Sequence, residues 1–265
     1  MPEHAKTLIM KFGGASVKTP ESFAHIASLV IKRSIEYQRI AIVVSAMGGM
    51  TDQLITLAHQ VNPHPPRREY DMLVSAGERI SISLLAMALS AQGREAVSFT
   101  GSQSGIITSG EHSDARIIDV RPYRLLPHLE AKKFVIIAGF QGVSFEKEIT
   151  TLGRGGSDTT AVALGIALRA AKVEFYKDVA GIFQHDPKST TDAMLYRSLS
   201  HEEALAVVKG SGGRVLHQRS IELAQKNELP LHVRSFYDMD GEGTWIGTEN
   251  RQPLEPFYEA TLPAC

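Results

Sequence analysis

Short apolar runs alternate along this chain with longer segments in which apolar residues recur at helical spacing. That alternation predicts an α/β fold. Residues 7–12 (TLIMKF) read as a first strand that breaks at Gly13 and Gly14. Thr19 and Pro20 then open a helix as N-cap and first helical residue, and Phe23, Ile26, Ala27, Val30 and Ile31 keep its period. Residues 40–45 (IAIVVS) are β-branched and do not alternate, as expected of a strand buried on both faces, and residues 51–61 follow as a helix. Residues 62–68 (NPHPPRR) predict a surface loop. A helical pattern over 70–92 is interrupted by Gly77, residues 96–100 read as a strand, and the polar stretch 101–113 as an excursion or hairpin. Further along come a buried strand at 134–140 (FVIIAGF), an Ala-rich helix at 159–171 and a strand at 173–177 (VEFYK). Helices at 202–209 and 215–227 and a late strand at 231–234 complete the pattern.

The strands at 8–12, 41–45, 135–139 and 174–177 all run into glycines at or just beyond their carboxyl ends. In open α/β sheets ligands bind at that end.

Composition narrows the setting. The chain has 265 residues, 43% hydrophobic and 22% charged, enough to bury a core without disulfides or metals. Lys and Arg number 28 against 29 for Asp and Glu, a net charge of -1 that points away from nucleic acid. Cys265 is the single cysteine, so there is no disulfide framework and no CxxC pair, and a reducing compartment fits. Residues 1–10 (MPEHAKTLIM) are too short and polar for a signal peptide, and the apolar runs fall short of the ~20 residues of a membrane helix. The expectation is a cytoplasmic protein with no membrane partner.

The glycine junctions carry the candidate chemistry. Lys11 ends a strand beside Gly13 and Gly14, whose backbone N–H groups can approach an anion closely. The plainer reading is a tight turn with a solvated lysine. Residues 44–49 (VSAMGG) repeat the junction, with Ser45 and Thr51 supplying hydroxyls that equally well cap a helix. Gly77 inside a helix costs about 1 kcal/mol relative to Ala, so close packing or ligand approach should compensate. Glu78 beside it can hold an ammonium group or lie on the surface.

Residues 151–158 (TLGRGGSD) are the most informative: three glycines frame Arg154, and Ser157 and Asp158 open a helix. The stretch approaches a GxGxxG dinucleotide fingerprint, but Asp158 would repel a pyrophosphate and residues 148–150 (EIT) make a poor strand, so that reading fails. Arg154 on its glycine frame suits a two-point grip on a carboxylate. Residues 177–183 (KDVAGIF) offer Phe183 for an adenine to lie against, Lys188 follows for phosphates, and Arg214 stands ahead of a further helix. The chain has no P-loop, HExxH, GxSxG or protein-kinase motif set, and its ten histidines show no ligand spacing.

Taken together, KFGG at 11–14, SAMGGMTD at 45–52, SAGER at 75–79, TLGRGGSD at 151–158, KDVAGIFQHDPK at 177–188 and GGRVLH at 212–217 resemble the motifs of aspartokinases in order and spacing. The resemblance implies an amino-acid kinase fold over residues 1–247, a three-layer α/β/α sandwich around a mostly parallel open sheet, with 248–265 as a short tail. It implies ATP-dependent phosphorylation of the side-chain carboxylate of L-aspartate, the first step towards the aspartate-derived amino acids, with Mg2+ carried by ATP. Lys11 would then stabilise the transferring phosphoryl group and Asp158 hold that lysine. Arg154 would bind the α-carboxylate and Glu78 the α-ammonium, with Ser45, Thr51 and Ser157 beside the substrate. Gly13, Gly14, Lys177, Asp178, Phe183, Lys188 and Arg214 fall at nucleotide-contact positions. Dimers of that family often involve its ACT domains, so a homodimer is one assembly the resemblance allows and the oligomeric state stays open. The chemistry suits such a site: an aspartate carboxylate of pKa ~3.9 is already ionised, so attack needs positioning and positive charge rather than a general base.

Several positions depart from the aspartokinase pattern, which more often has Thr at Lys177, Pro at Ala180, Tyr at Phe183, Lys at Arg214 and Pro at Gln218. These lie on the nucleotide side; the aspartate side is intact. Residues 248–265 are also too few for the ACT domains that bind lysine or threonine in that family, and insensitivity to those amino acids is the expectation. The competing readings are a kinase of another amino-acid carboxylate and a non-catalytic ligand-binding homologue. Arg154 with Glu78 favours a free α-amino acid over an acetylated one, and Lys11 with Asp158 favours catalysis.

Overall fold

The computed structural model describes residues 6–185, 190, 193–210, 215–248 and 256–260. Its elements in chain order are β1 (Thr7–Phe12), α1 (Pro20–Arg33), β2 (Arg39–Val44), α2 (Met50–Val61), α3 (Arg67–Val74), α4 (Ala76–Ala91) and β3 (Ala96–Phe99). Then come β4 (Ile106–Thr108), β5 (Ile117–Val120), α5 (Leu126–Glu130), β6 (Phe134–Ala138), β7 (Gln141–Val143), β8 (Ile149–Thr151), α6 (Gly156–Ala167) and β9 (Lys172–Lys177). The chain closes with β10 (Ser198–Leu199), α7 (His201–Gly210), α8 (Gln218–Lys226), β11 (Leu231–Ser235) and β12 (Thr244–Ile246).

The strands that end in glycines lie side by side. The main sheet has the order β10-β12-β11-β9-β1-β2-β6-β3, parallel throughout except where β11 meets β12. Alternate residues of β1 feed two cores. Leu8, Met10 and Phe12 pack with Phe23, Ile26 and Val30 of α1 and Leu85 and Leu89 of α4. Ile9 packs on the opposite face with Val162 and Ile166 of α6 and Ile221 and Ala224 of α8. This is the expected three-layer α/β/α sandwich with a mostly parallel sheet. Thr19 starts α1 as read, its N–H donating to Ser22 Oγ at 3.0 Å.

Other details depart from the sequence reading. The expected excursion at 101–113 belongs to a second sheet of order β5-β4-β7-β8 that rises from the carboxyl end of the first. Residues 148–150, read as a poor strand, overlap β8, which is the antiparallel partner of β7 rather than a parallel strand feeding a nucleotide loop. The strand read to 140 stops at Ala138, because Phe140 takes a left-handed φ of 70°. The break in the long helical pattern falls at Ser75, and Gly77 lies inside α4, where a side chain would press on the Ala46 methyl group at 2.8 Å. Close packing is therefore what compensates for that glycine. Taken together, residues 67–91 are long and apolar enough to cross a membrane by length and composition, unlike the apolar runs read from the sequence. In the fold α4 serves as a core helix, with Ile82, Leu85 and Leu89 buried.

A buried ion cluster ties α1 to the sheet. Glu174 of β9 is fully buried and accepts from Arg33 Nη2 at 2.6 Å and Nε at 3.2 Å, from Lys172 Nζ at 2.9 Å and from Tyr176 Oη at 2.7 Å. Burial disfavours the charge, but the His232 ring, Lys172, Arg33 and the Tyr176 hydroxyl together hold the carboxyl well below its usual range.

Candidate functional site

Lys11, Lys177 and Asp158 are placed by two strand ends and a helix start. In the parallel pair β1–β9, Lys11 lies opposite Phe175, so Lys11 and Lys177 point to the same face of the sheet. Helix α6 covers that face and is capped by Gly155, whose φ of 74° and contact with the His217 ring leave no room for a side chain. The third residue of α6 is Asp158. Its Oδ1 lies 2.6 Å from Lys11 Nζ and its Oδ2 3.2 Å from Lys177 Nζ, and all three side chains are largely buried. Burial disfavours the Asp158 charge, yet the two lysines outweigh it and hold the carboxyl at about 2. Burial, ahead of the attraction of Asp158, pushes the Lys177 ammonium down to about 8.

Beside this cluster opens a cavity of about 790 Å³. It brings together Lys11, Ser45, Thr51, Glu78, Arg154, Ser157 and Asp158, seven of the residues singled out from the sequence. Arg154 is exposed on its glycine loop, whereas Glu78 is buried. Glu78 Oε1 accepts from Ala46 N at 3.0 Å, while its other oxygen, also buried, has no hydrogen-bond partner among the described residues. Burial pushes this carboxyl up to about 7, against the Ala46 N–H and the Lys11 charge. The surface position weighed for Glu78 is thus ruled out.

Gly13, Gly14, Lys177, Asp178 and Phe183 do not line this cavity. Gly13 and Gly14 turn the chain after β1, their carbonyls accepting from Ser16 N and Val17 N, and Phe183 is half-buried and bridges to Leu195. Lys188 and Arg214 lie outside the described residues. Among the described residues no group of three or more His, Cys, Asp or Glu is placed to hold a metal.

The sequence reading missed residues that line the cavity or hold its lining in place. Asp71 of α3, fully buried, accepts from Thr151 N and Oγ1, Ser113 N and Oγ, and His112 Nδ1 at 2.7–3.1 Å. One carboxylate thereby anchors the hairpin loop and the start of the glycine loop. Phe140 lines the cavity in its left-handed conformation, uncommon for an aromatic residue, with its N–H on Thr160 Oγ1 and its carbonyl accepting from Leu152 N. Arg219 lines it too, donating to Leu152 O at 2.6 Å and Ala115 O at 3.1 Å. A buried Asp within an otherwise polar helix start was the only local signal for Asp71; Arg219 had none.

Comparison with known proteins agrees with this geometry. The sequence pattern of the amino acid kinase family matches residues 6–235. The chain is 47% identical over 250 residues to an aspartokinase of Mycobacterium bovis and 45% over 249 residues to one of Corynebacterium glutamicum, covering 94% of this chain in both. It spans 59% of the length of each of those relatives. Among solved structures, aspartate kinase from Synechocystis superposes with a TM-score of 0.81 at 42% identity, over 95% of this chain and 41% of that one. Aspartokinase III of E. coli in complex with aspartate and ADP gives 0.81 at 25% identity, over 93% of this chain and 65% of that one. A parallel sheet whose strand ends converge on a lysine–aspartate pair, together with a pattern match over most of its length, makes this chain a member of the amino acid kinase family.

Proposed function

We propose that this chain transfers the γ-phosphoryl group of ATP to the side-chain carboxylate of L-aspartate. The observation that carries the reading is one cavity holding three things at once: the Lys11–Asp158 pair, the Arg154 guanidinium and the unpartnered Glu78 oxygen. A free α-amino acid satisfies the last two together, its α-carboxylate on Arg154 and its α-ammonium on Glu78. An acetylated acceptor would leave the buried Glu78 oxygen unpaired. The likeness to aspartokinases along nearly the whole chain supports the same acceptor.

In this reading Ser45, Thr51 and Ser157 orient the acceptor carboxylate towards Lys11. Transfer breaks the bond between the γ-phosphorus and its bridging oxygen and forms one from phosphorus to a carboxylate oxygen, giving ADP and an acyl phosphate. No proton moves, because the attacking carboxylate is ionised at neutral pH. Lys11 and the amino end of α6 supply positive charge where the phosphoryl group passes, and Asp158 keeps Lys11 in place. Gly13, Gly14, Lys177, Asp178 and Phe183, with Lys188 and Arg214, belong to the nucleotide side, and Mg2+ arrives on ATP. The catalytic unit spans residues 1–247, in a cytoplasmic setting that a single cysteine suits. A homodimer belongs to the reading, supported by exposed Ile80 and Met87, two turns apart on α4.

The test is incubation with Mg-ATP and L-aspartate, trapping the acyl phosphate with hydroxylamine. Aspartyl hydroxamate should form, and Lys11→Ala should lower the rate by about a hundredfold or more without unfolding the protein. Product with L-glutamate and none with L-aspartate would move the proposal to another acceptor. Equal rates with and without Lys11 would remove the proposed site.

A further inference from the structure

We propose that Asp71 is a positioning residue for the acceptor, setting the separation of Arg154 and Glu78, the groups that take its α-carboxylate and its α-ammonium. This rests on the amino-acid acceptor proposed above and adds to it a residue that the acceptor does not touch.

Asp71 lies in the last turn of α3 and does not line the cavity, but the residues it holds do. Its buried carboxylate accepts from Thr151 Oγ1 at 2.7 Å and Thr151 N at 3.0 Å. It also accepts from Ser113 N at 3.0 Å, Ser113 Oγ at 3.1 Å and His112 Nδ1 at 2.9 Å. A carboxylate offers about four lone-pair sites, so these donors saturate it. Thr151 and Ser113 both line the cavity. Ser113 is held at a φ of 71°, a left-handed conformation uncommon for serine, and its N–H and its hydroxyl both go to Asp71. Backbone strain of this kind persists only where the surroundings over-determine it, and it gathers at ligand sites.

Two paths lead from Asp71 to the two grips. The first runs through its side chain. Gly153 sits so close to the 113–114 hairpin that a Cβ there would lie 3.1 Å from Ser113 O and 3.2 Å from Asp114 Oδ1, and Arg154 is the next residue. By holding Thr151 and Ser113 together, Asp71 fixes both the start of the glycine loop and the surface it rests on. The second path runs through its backbone. Asp71 O accepts from Ser75 N at 3.1 Å where α3 gives way to α4, and Ser75 O accepts from Gln141 Nε2 at 2.9 Å. Glu78 stands three residues further along, in the first turn of α4. A free amino acid has to match the guanidinium and the carboxylate at once, so a shift of the loop against α4 weakens its binding. Lys11 is carried by β1 and paired with Asp158, outside this network, so the chemical step is less exposed to the same shift.

The experiment is a double-mutant cycle in steady-state kinetics with Mg-ATP and L-aspartate, on the wild type, Asp71→Asn, Arg154→Ala and the double variant. An amide at 71 turns one acceptor into a donor that faces other donors, so the network opens. Asp71→Asn should raise the KM for aspartate about tenfold or more, with kcat and the KM for ATP within about threefold. In the Arg154→Ala background, where the grip is already gone, the same change should lower kcat/KM by less than about threefold. Thr151→Val keeps the side-chain shape and removes the 2.7 Å bond alone, so it replaces Asp71→Asn in the cycle if that variant does not fold. Its KM for aspartate should rise about threefold or more, and that rise should also vanish without Arg154. Equal effects with and without Arg154, or a loss spread alike over kcat and the KM for ATP, would make Asp71 a structural residue only and overturn the assignment. The acceptor is tested apart from this. Product with L-glutamate and none with L-aspartate would remove aspartate, and coupling of Asp71 to Arg154 measured on L-glutamate would sustain the positioning role. A wild type that phosphorylates neither amino acid would overturn both.

Discussion

Arg219 and Glu259 form a two-point ion pair, Nε to Oε1 at 2.7 Å and Nη2 to Oε2 at 2.9 Å, across forty residues of sequence. The same guanidinium holds the carbonyls of Leu152 and Ala115, and Glu259 also accepts from Ile117 N at 2.9 Å. The described part of the tail, residues 256–260, is therefore docked on the domain, and its one acid, partly buried, braces the glycine loop that carries Arg154.

From this pair, Glu259→Gln should loosen the loop and leave Arg219 with only its longer ion pair to Asp114, at 3.5 Å. The expected loss of stability is about 2 kcal/mol, less than for a fully buried pair because both side chains keep some exposure. The KM for aspartate should rise several-fold with kcat little changed, since Arg154 is displaced and Lys11 is not. Urea unfolding and steady-state kinetics check it; an unchanged KM would detach the tail from the site.

Glu78 predicts opposite effects on stability and activity. Its pKa rises from 4.5 to about 7 on folding, so the ionised form is penalised in the folded state. The sign follows: the penalty is fully present above pH 7, shrinks as pH falls and vanishes below 4.5. Glu78→Gln should therefore stabilise the ligand-free protein at pH 8, by up to about 3 kcal/mol, and leave it unchanged near pH 4. The same change should raise the KM for aspartate about tenfold or more, because a neutral amide is a poor partner for an ammonium group. In the wild type, that KM should climb as pH drops below 7. Thermal melts at the two pH values and a KM–pH profile decide it; a KM for Glu78→Gln equal to that of the wild type would remove the ammonium contact.

Glu174 tests the sheet rather than the site. Replacing it with Gln leaves Arg33 and Lys172 largely buried without their carboxylate, for a loss of about 3 kcal/mol or more. For a chain of this size that lowers the thermal midpoint by roughly 6–12 °C. Calorimetry with the pH held at 7 measures it, and a shift under a few degrees would show that water or Glu36 takes over the charge.

Much of this molecule was legible because its signals are local. The β-branched run at 40–45 and the helical period after Pro20 reflect burial of consecutive or evenly spaced side chains, and β2 and α1 formed within a residue or two of the reading. Lys11, Arg154 and Asp158 stood out because each sits beside glycines that a plain turn does not require in such number.

What the sequence determined by itself was the α/β layering and the identity of the residues at the strand ends, since apolar period and glycine placement act within a few positions of the chain. Tertiary structure alone decided which of those residues share a space. Asp158 reaches Lys11 and Lys177 only because β1 and β9 pair in parallel and α6 starts above them. Asp71 becomes an anchor, and Arg219 a brace for the glycine loop, through partners 40 to 80 residues away. Such contacts depend on strand order and register, which link positions far apart in sequence and leave no period behind.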